Sequence, residues 1–313
     1  MARFGYKLMS EEHGPRALVD NARTAEAAGF DFVSISDHYH PWLHDQGHAS
    51  FAWSVLGAIA HATSKVGITT GLTCPIIRYH PAIIAQAAAT IAVMSEDRFS
   101  LAVGAGERLN EHVTGVRWPS IPERHAMLGE AIDIFRLLWG EGAHNHHGTW
   151  FTVDHAQIFD LPSAPIPIIL GVSGQASLDL AVAKADGIMT TDPSAELASG
   201  YKHGPRYVEV ALAYAPTEEE GRRIAHDRFR FSAFDWAVNS EIPTVEGFES
   251  ASKFVRPDDL AETIPAGPDP EKHLAAVKKA IDAGFDHIVL TGIGPDQAGF
   301  IRFFEERLRP GLA

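Results

Sequence analysis

FVSISDHYHPW, residues 32–42, is an apolar run that passes directly into a polar and aromatic loop. The same change occurs in FSLAVGAGERLN, residues 99–110, where a glycine turn, a carboxylate and an amide follow the apolar run. Each segment is typical of a parallel strand whose carboxyl end opens into a loop, which is where α/β proteins bind their ligands. The two segments together predict an α/β fold with a redox or acid/base site at the strand ends.

Short apolar runs alternate with helical patterns along the whole chain. Candidate strands lie at 4–7, 31–36, 66–73, 99–103, 166–170, 187–190, 208–213 and 287–290, and candidate helices at 15–28, 53–64, 81–94, 123–139, 176–184, 218–229, 271–283 and 297–308. Strands alternating with helices indicate a parallel sheet. Eight such units in 313 residues have the size of a closed barrel. We therefore predict an α/β fold, a (β/α)8 TIM barrel, in which residues 1–313 form a single domain.

Three local features refine this prediction. The tetrapeptide Ala-Gly-Phe-Asp occurs at 28–31 and again at 283–286, each time before a strand, where glycine suits a helix C-cap. An insertion near 144–165 resembles a short hairpin or lid. A second insertion, at 231–268, is aromatic and irregular, and we expect it to be ordered. Its aromatic residues include Phe234, Trp236, Phe248 and Phe254.

Composition limits the partners and the compartment. The formal net charge is −14 and there is no basic cluster, which argues against nucleic acid and anionic membranes as partners. A single cysteine excludes an internal disulfide and fits a reducing compartment. The sequence contains no apolar run of membrane-spanning length, and its start is strand-like, without the pattern of a signal peptide. We expect a cytoplasmic protein whose partner is a small molecule.

The strand-end loops supply the candidate chemistry. Asp37 and His38 place an acid beside an imidazole, which suits proton transfer near neutral pH, or else they satisfy loop amides. Trp42 either covers a bound ring or closes the top of the barrel. Glu107 follows a glycine turn where backbone can approach a ligand closely, or it pairs with a nearby base. The glycine spacing at 104–110 ends in Asn110 and follows the fourth strand, so it does not predict a dinucleotide fingerprint.

Two other chemistries are disfavoured. His144, His146, His147 and His155 cluster in sequence, but they lie in a loop-like segment without an orienting carboxylate pattern, so we expect no metal. Cys74 lacks the His–Asn or His–Asp spacing of a nucleophile and is expected to be buried packing.

The chain resembles the luciferase-like flavin and deazaflavin oxidoreductases, in particular the F420-dependent glucose-6-phosphate dehydrogenase group. The resemblance extends from Gly5-Tyr6-Lys7 to the last helix. It is carried by Ser36-Asp37-His38, Pro41-Trp42, Gly47-His48, Arg78-Tyr79-His80-Pro81-Ala82, Ile84-Ala85-Gln86-Ala87, Gly104-Ala105-Gly106-Glu107 and Leu109-Asn110-Glu111. It implies a bacterial luciferase-like barrel, a homodimer, and coenzyme F420 bound over the strand ends.

The resemblance also implies roles for individual residues. His38, Trp42 and Glu107 correspond to the catalytic residues, and Asp37 to the cofactor aspartate. The remaining cofactor contacts correspond to Cys74, Ala105, Gly106, Asn110, Ser173, Gly174 and Gln175. Cys74 stands where a threonine is common. A non-proline cis peptide is implied between Gly71 and Leu72.

The chain departs from the sugar-phosphate enzymes where those enzymes hold phosphate. Their two lysines and one arginine correspond to Asp192, Glu262 and the Gln297-Ala298-Gly299 segment, although Lys253 or Arg256 could substitute. We therefore expect hydride transfer between F420 and an alcohol, a sugar or another small reducible substrate, and not glucose 6-phosphate. The alternatives are an FMN-dependent luciferase-like monooxygenase and a non-catalytic flavin-binding protein.

Overall fold

The computed structural model describes residues 2–312. This part of the chain contains ten strands and fourteen α-helices. The strands are β1 Arg3–Leu8, β2 Phe32–Ile35, β3 Gly67–Thr70, β4 Phe99–Val103, β5 His144–His147, β6 Thr152–Ala156, β7 Ile168–Gly171, β8 Gly187–Thr190, β9 Arg206–Leu212 and β10 His287–Gly292. The first seven helices are α1 Pro15–Ala27, α2 Ala52–Ala62, α3 Pro81–Met94, α4 Arg108–Glu111, α5 Ile121–Leu138, α6 Gln175–Lys184 and α7 Ala195–Gly200. The others are α8 Glu218–Phe229, α9 Trp236–Asn239, α10 Val245–Ala251, α11 Pro257–Leu260, α12 Pro270–Asp282, α13 Gln297–Phe303 and α14 Arg309–Leu312.

Eight of the strands close into a parallel barrel in the order β1-β10-β9-β8-β7-β4-β3-β2. These are the eight predicted strands, so the predicted (β/α)8 barrel is confirmed. Because all eight strands run in the same direction, their carboxyl ends share one rim. The loops after β1, β2, β3, β4 and β7 are therefore neighbours around that rim, although they are far apart in sequence.

The barrel is filled by side chains and not by solvent. A compact interior cluster contains Phe32, Ala102, Ile169, Met189, Tyr207 and Val289. A much larger apolar cluster lies between the strands and the surrounding helices. The two Ala-Gly-Phe-Asp repeats serve this packing as expected: Gly29 and Gly284 have φ of 81° and 104° just after α1 and α12. The aromatic ring of Phe30 stacks on that of Phe304 with centroids 3.8 Å apart.

The two predicted insertions coincide with a β-hairpin and with a group of short helices. β5 and β6 form a separate antiparallel hairpin, and the carboxylate of Glu130 accepts hydrogen bonds from the backbone amides of Trp150 and Phe151 at its turn. His146, one of the clustered histidines, contacts the same carboxylate at 3.1 Å. The second insertion is built from the short helices α9, α10 and α11. The cis peptide between Gly71 and Leu72, implied by the resemblance, is present.

Glu26 at the end of α1 gives a test of how the outer helices are fixed to the barrel. Its carboxylate accepts hydrogen bonds from the backbone amides of Ser64, Lys65 and Val66, at 3.0, 2.7 and 2.8 Å, just before β3. Partial burial acts to raise the pKa of Glu26, but these hydrogen bonds outweigh it and lower the pKa below its usual range. The carboxylate therefore stabilises the fold above the ordinary glutamate pKa, and this contribution is lost as the pH falls through the lowered value.

We expect Glu26→Gln to destabilise the protein by about 1–2 kcal/mol at neutral pH, since an amide replaces a charged acceptor. Thermal unfolding measured from neutral to acidic pH should show the difference from wild type shrinking as the pH falls. Glu305→Gln, at an exposed position in the helical segment that follows α13, is the control. An equal loss of stability at all pH values would contradict the assignment to the ionised carboxylate.

Candidate active site

The imidazole of His38 lies between two carboxylates at the rim of the barrel. Its Nε2 atom is 3.6 Å from Oε1 of Glu107 and 3.9 Å from Oε1 of Glu11. These three side chains come from the loops after β2, β4 and β1, and all are largely buried. Nδ1 of His38 is 3.1 Å from the carbonyl oxygen of His40. Because a carbonyl only accepts, Nδ1 carries the proton of the neutral ring and leaves Nε2 free as a base.

Glu11 is held as a carboxylate beside this ring. Burial acts to raise the pKa of Glu11, but His38, Lys7 and the hydroxyl of Ser36 together outweigh it and lower the pKa. Ser36 donates to the same carboxylate. Sequence reasoning missed Glu11, although an acid three residues beyond the end of β1 occupies the same kind of strand-end position as His38 and Glu107.

Asn110 joins the two loops that carry His38 and Glu107. Its Oδ1 atom accepts hydrogen bonds from the backbone amides of Tyr39 and His40, at 2.7 and 2.9 Å. Its Nδ2 atom donates to Oε1 of Glu107 at 2.5 Å. The side chain predicted to contact the cofactor therefore also fixes the distance between the two proposed catalytic groups.

Asp37 is buried beneath the site and its carboxylate is fully engaged by the protein. It accepts hydrogen bonds from the hydroxyls of Thr73 and Tyr79, at 2.8 and 2.9 Å, and from the guanidinium of Arg78 at 3.2 Å. The cofactor contact predicted for Asp37 stays a prediction. The visible role of its side chain is to anchor the loop that carries His38.

The glycine turn after β4 brings backbone close to Cys74. Gly106 has φ of 82°, and a Cβ atom placed there would lie 2.6 Å from Sγ of Cys74. The thiol of Cys74 is buried, donates to the carbonyl oxygen of Gly104 at 3.0 Å, and has a pKa raised by burial. Cys74 thus lies beside the turn formed by Gly104, Ala105 and Gly106, which places the three candidate cofactor residues Cys74, Ala105 and Gly106 together.

The indole of Trp42 packs directly against His38. The ring centroids are 5.0 Å apart in an edge-on arrangement. Phe231 stacks on the other side of the indole at 4.8 Å, and Phe248 meets it edge-on at 5.0 Å. The late insertion therefore does cover the site, but through Phe231 and Phe248. Trp236 and Phe254 are 41% and 83% exposed, so these two residues of the insertion lie largely in solvent.

The remaining candidates lie at the start of α6, after the strand that pairs with β4. Ser173 and Gln175 are exposed, and Gly174 has open space where a Cβ would stand. The hydroxyl of Ser177 accepts hydrogen bonds from the amides of Ser173 and Gly174, at 3.0 and 3.3 Å. The following amides begin the helix and have no acceptor within it, which is the arrangement that favours an anion.

The chain belongs to the family described as luciferase-like monooxygenase, whose model matches residues 1–287. The F420-dependent glucose-6-phosphate dehydrogenase of Microbacterium testaceum (strain StLB037) is 37% identical, over 99% of this chain and 97% of that protein. The protein of the same name from Nakamurella multipartita is 36% identical, over 99% and 96% of the two chains. The predicted family is therefore confirmed.

Solved structures agree with this placement. An F420-dependent secondary alcohol dehydrogenase in complex with an F420-acetone adduct superposes with a TM-score of 0.91 and 29% identity, covering 98% of each chain. The coenzyme F420 dependent tetrahydromethanopterin reductase from Methanopyrus kandleri superposes with a TM-score of 0.82 and 20% identity, covering 100% of this chain and 99% of that one, which is a likeness of fold. Within residues 2–312, none of the helices has the length and apolar character needed to cross a membrane.

Proposed function

We propose that this protein is an F420-dependent oxidoreductase that transfers a hydride between the deazaflavin and a small alcohol or carbonyl substrate. The observation that carries the proposal is the position of His38, whose free Nε2 lies between the carboxylates of Glu11 and Glu107. The names of the relatives and of the 29% identical structure support F420 as the cofactor.

The residues at the rim fit such a cofactor. The glycine turn at Gly104 and Gly106 follows β4 at the rim that also carries His38, and its backbone is the part proposed to approach a flat ring. The start of α6, with Ser173 and Gly174, lies beyond the neighbouring strand and suits a phosphate. Bound there, F420 would supply the hydride acceptor or donor. Asp37, Cys74, Ala105, Asn110 and Gln175 are the other proposed contacts.

His38 is the proposed general base. Nε2 removes the proton of the substrate hydroxyl as the hydride leaves the carbinol carbon, so the alcohol becomes a carbonyl. The resulting imidazolium lies within 3.9 Å of the carboxylates of Glu11 and Glu107, and opposite charges at this distance attract each other. In the reverse direction the same Nε2–H protonates the carbonyl oxygen.

Trp42 and Glu107 complete the proposed site. The indole shields the imidazolium and limits the access of water, which strengthens the electrostatic interactions around it. Glu107 is the proposed proton donor or acceptor on the side of the cofactor, through an oxygen that Asn110 orients.

The proposed substrate is not a sugar phosphate. Asp192 and Glu262, which correspond to two phosphate-binding lysines, are exposed acids. Gln297 is buried and donates to the carbonyl oxygens of Gly292 and Gly294, so its amide is used inside the protein. Arg256, which could have substituted, is paired with Asp259 at 2.8 Å. These contacts support a neutral alcohol, although several relatives bear the name glucose-6-phosphate dehydrogenase.

We also propose a homodimer, as the resemblance implies, and a location in the cytoplasm, which the single cysteine favours. Analytical ultracentrifugation of the purified protein tests the first part, and fractionation of the source cells tests the second.

The choice of cofactor is tested by titrating the protein with F420 and with FMN while following quenching of cofactor fluorescence. We expect saturable binding of F420 and weaker binding of FMN. Bleaching of the oxidised deazaflavin absorbance on addition of an alcohol should then report hydride transfer. Tight FMN binding without F420 binding would favour the monooxygenase alternative, and F420 binding without turnover over a panel of alcohols would favour a binding protein.

His38→Ala should lower kcat by about 10²–10⁴-fold while leaving the Kd for F420 nearly unchanged, because a general base acts on the chemical step. The measurement combines steady-state kinetics with the fluorescence titration. His61→Ala, on the exposed side of α2, is the control and should match wild type. A loss that appears entirely as weaker F420 binding would make His38 a cofactor ligand.

Glucose 6-phosphate should be a poor substrate compared with small secondary alcohols. Each charge-assisted contact to an anion is worth about 1.5–3 kcal/mol, so the loss of several such contacts lowers kcat/KM by orders of magnitude. Asp192→Lys and the double variant with Glu262→Lys should raise kcat/KM for glucose 6-phosphate and leave that for alcohols little changed. Efficient, saturable oxidation of glucose 6-phosphate by the wild type would refute this substrate assignment.

A further inference from the structure

Gln46 is a buried amide on the loop that carries Trp42. Its Oε1 atom accepts hydrogen bonds from the backbone amides of Trp42 and Leu43, at 2.8 and 3.3 Å. Its Nε2 atom donates to the carbonyl oxygen of Arg228 at 3.2 Å. Gln46 is 2% exposed, so these partners replace water at both ends of the amide. Without this side chain, two buried backbone amides would lose their acceptor.

Arg228 connects this loop to the rest of the rim. It lies at the end of α8, and its guanidinium donates to Oε1 of Glu12 at 3.2 Å and to the carbonyl oxygen of Asp45 at 3.1 Å. The other oxygen of Glu12 accepts from the amide of Gly294 at 3.2 Å. The guanidinium of Arg228 therefore holds Asp45, the residue before Gln46. The backbone carbonyl of Arg228 holds Gln46 itself. Its partner Glu12 is adjacent to Glu11.

The position of the Trp42 ring depends on this connection. The indole is placed by packing against His38, Phe231 and Phe248, none of which bonds to the backbone at Trp42. The hydrogen bonds from Gln46 fix where the Trp42 backbone enters that packing. A shift of the Trp42 backbone by a fraction of the 5.0 Å between the two ring centroids would change how the indole covers the imidazole.

We propose that Gln46 is a positioning residue that holds the Trp42 indole against His38 by bridging the Trp42 backbone to Arg228. Its effect on catalysis passes through Trp42. That catalytic part rests on the proposed function, whereas the placement of the indole does not.

The placement is tested by ¹H–¹⁵N correlation spectra of the tryptophan indole groups, of which the chain has six. The Trp42 resonance is assigned by its loss in Trp42→Phe. Gln46→Met keeps the length of the side chain and removes its hydrogen bonds, so it should shift or broaden the Trp42 resonance and leave the others in place. The asparagine of Gln46→Asn is too short to reach both partners, so this variant should also shift or broaden the Trp42 resonance. It provides the test if Gln46→Met does not fold. An unmoved Trp42 resonance in a folded variant overturns the proposal.

A double-mutant cycle tests the catalytic part. Gln46→Met alone should lower kcat/KM for an alcohol by about 10- to 100-fold, as expected for a misplaced active-site group. In a Trp42→Phe background the same change should cost about twofold or less, since the two residues act together. Thr63→Val, at a buried hydroxyl that donates to the carbonyl oxygen of Ile59 at the end of α2, is the control: it should lower Tm, leave the Trp42 resonance in place and combine additively with Trp42→Phe.

If the losses in kcat/KM caused by Gln46→Met and Trp42→Phe are additive, Gln46 does not act through Trp42, and the catalytic part of the proposal is overturned. If wild-type protein shows no turnover with F420, the proposed function fails, and the indole spectra still decide whether Gln46 places Trp42.

Discussion

The guanidinium of Arg78 is the contact on which the rim of the barrel depends. It donates to the backbone carbonyl of Asp37 at 2.7 Å and to its carboxylate at 3.2 Å, and it approaches the carboxylate of Glu111 at 3.3 Å. The backbone amide of Arg78 also donates to Glu111 at 2.8 Å. Arg78, in the segment between β3 and α3, thus ties the loop that carries His38 to the helix that follows Glu107. Loss of Asp37 or Glu111 would remove the hydrogen bonds that join Arg78 to one of the two loops, and that loop would be held less firmly.

This arrangement explains how several acids are accommodated around one imidazole. Burial raises the pKa of Glu111 to about 7, and that of Glu12 also to about 7, even though each faces an arginine. Glu11, by contrast, is kept ionised, and Lys7 contributes to that. The cations therefore support the scaffold, while the carboxylates nearest His38 remain available to stabilise a protonated ring. The division follows from the contacts: Arg78 and Arg228 pair with Asp37, Glu111 and Glu12, whereas Nε2 of His38 faces Glu11 and Glu107.

The sequence predicted the barrel and proposed part of the candidate site, because both follow from local patterns. Short apolar runs placed all eight barrel strands, and parallel strands bring their carboxyl ends to one rim whatever their separation in sequence. The sequence offered His38, Trp42 and Glu107 as candidates because each lies in a segment that follows a strand. Glu11 obeys the same rule, yet it lies in an unremarkable turn without a neighbouring motif. Gln46 could not be found, because its function depends on Arg228, 182 residues away.

The late insertion shows where pattern reasoning fails most clearly. Aromatic content predicted an ordered segment at 231–268, but it could not show which of the aromatic residues are buried. Trp236 and Phe254 lie on short helices that turn these side chains toward solvent, whereas Phe231 and Phe248 reach Trp42. The insertion thus covers the indole, while the barrel loops supply the acids and the imidazole. Because these parts come from different segments of the chain, the insertion and the positions of Asp192 and Glu262 can change while the proposed proton-transfer residues stay. Relatives can therefore share the cofactor and the proposed base and still differ in substrate.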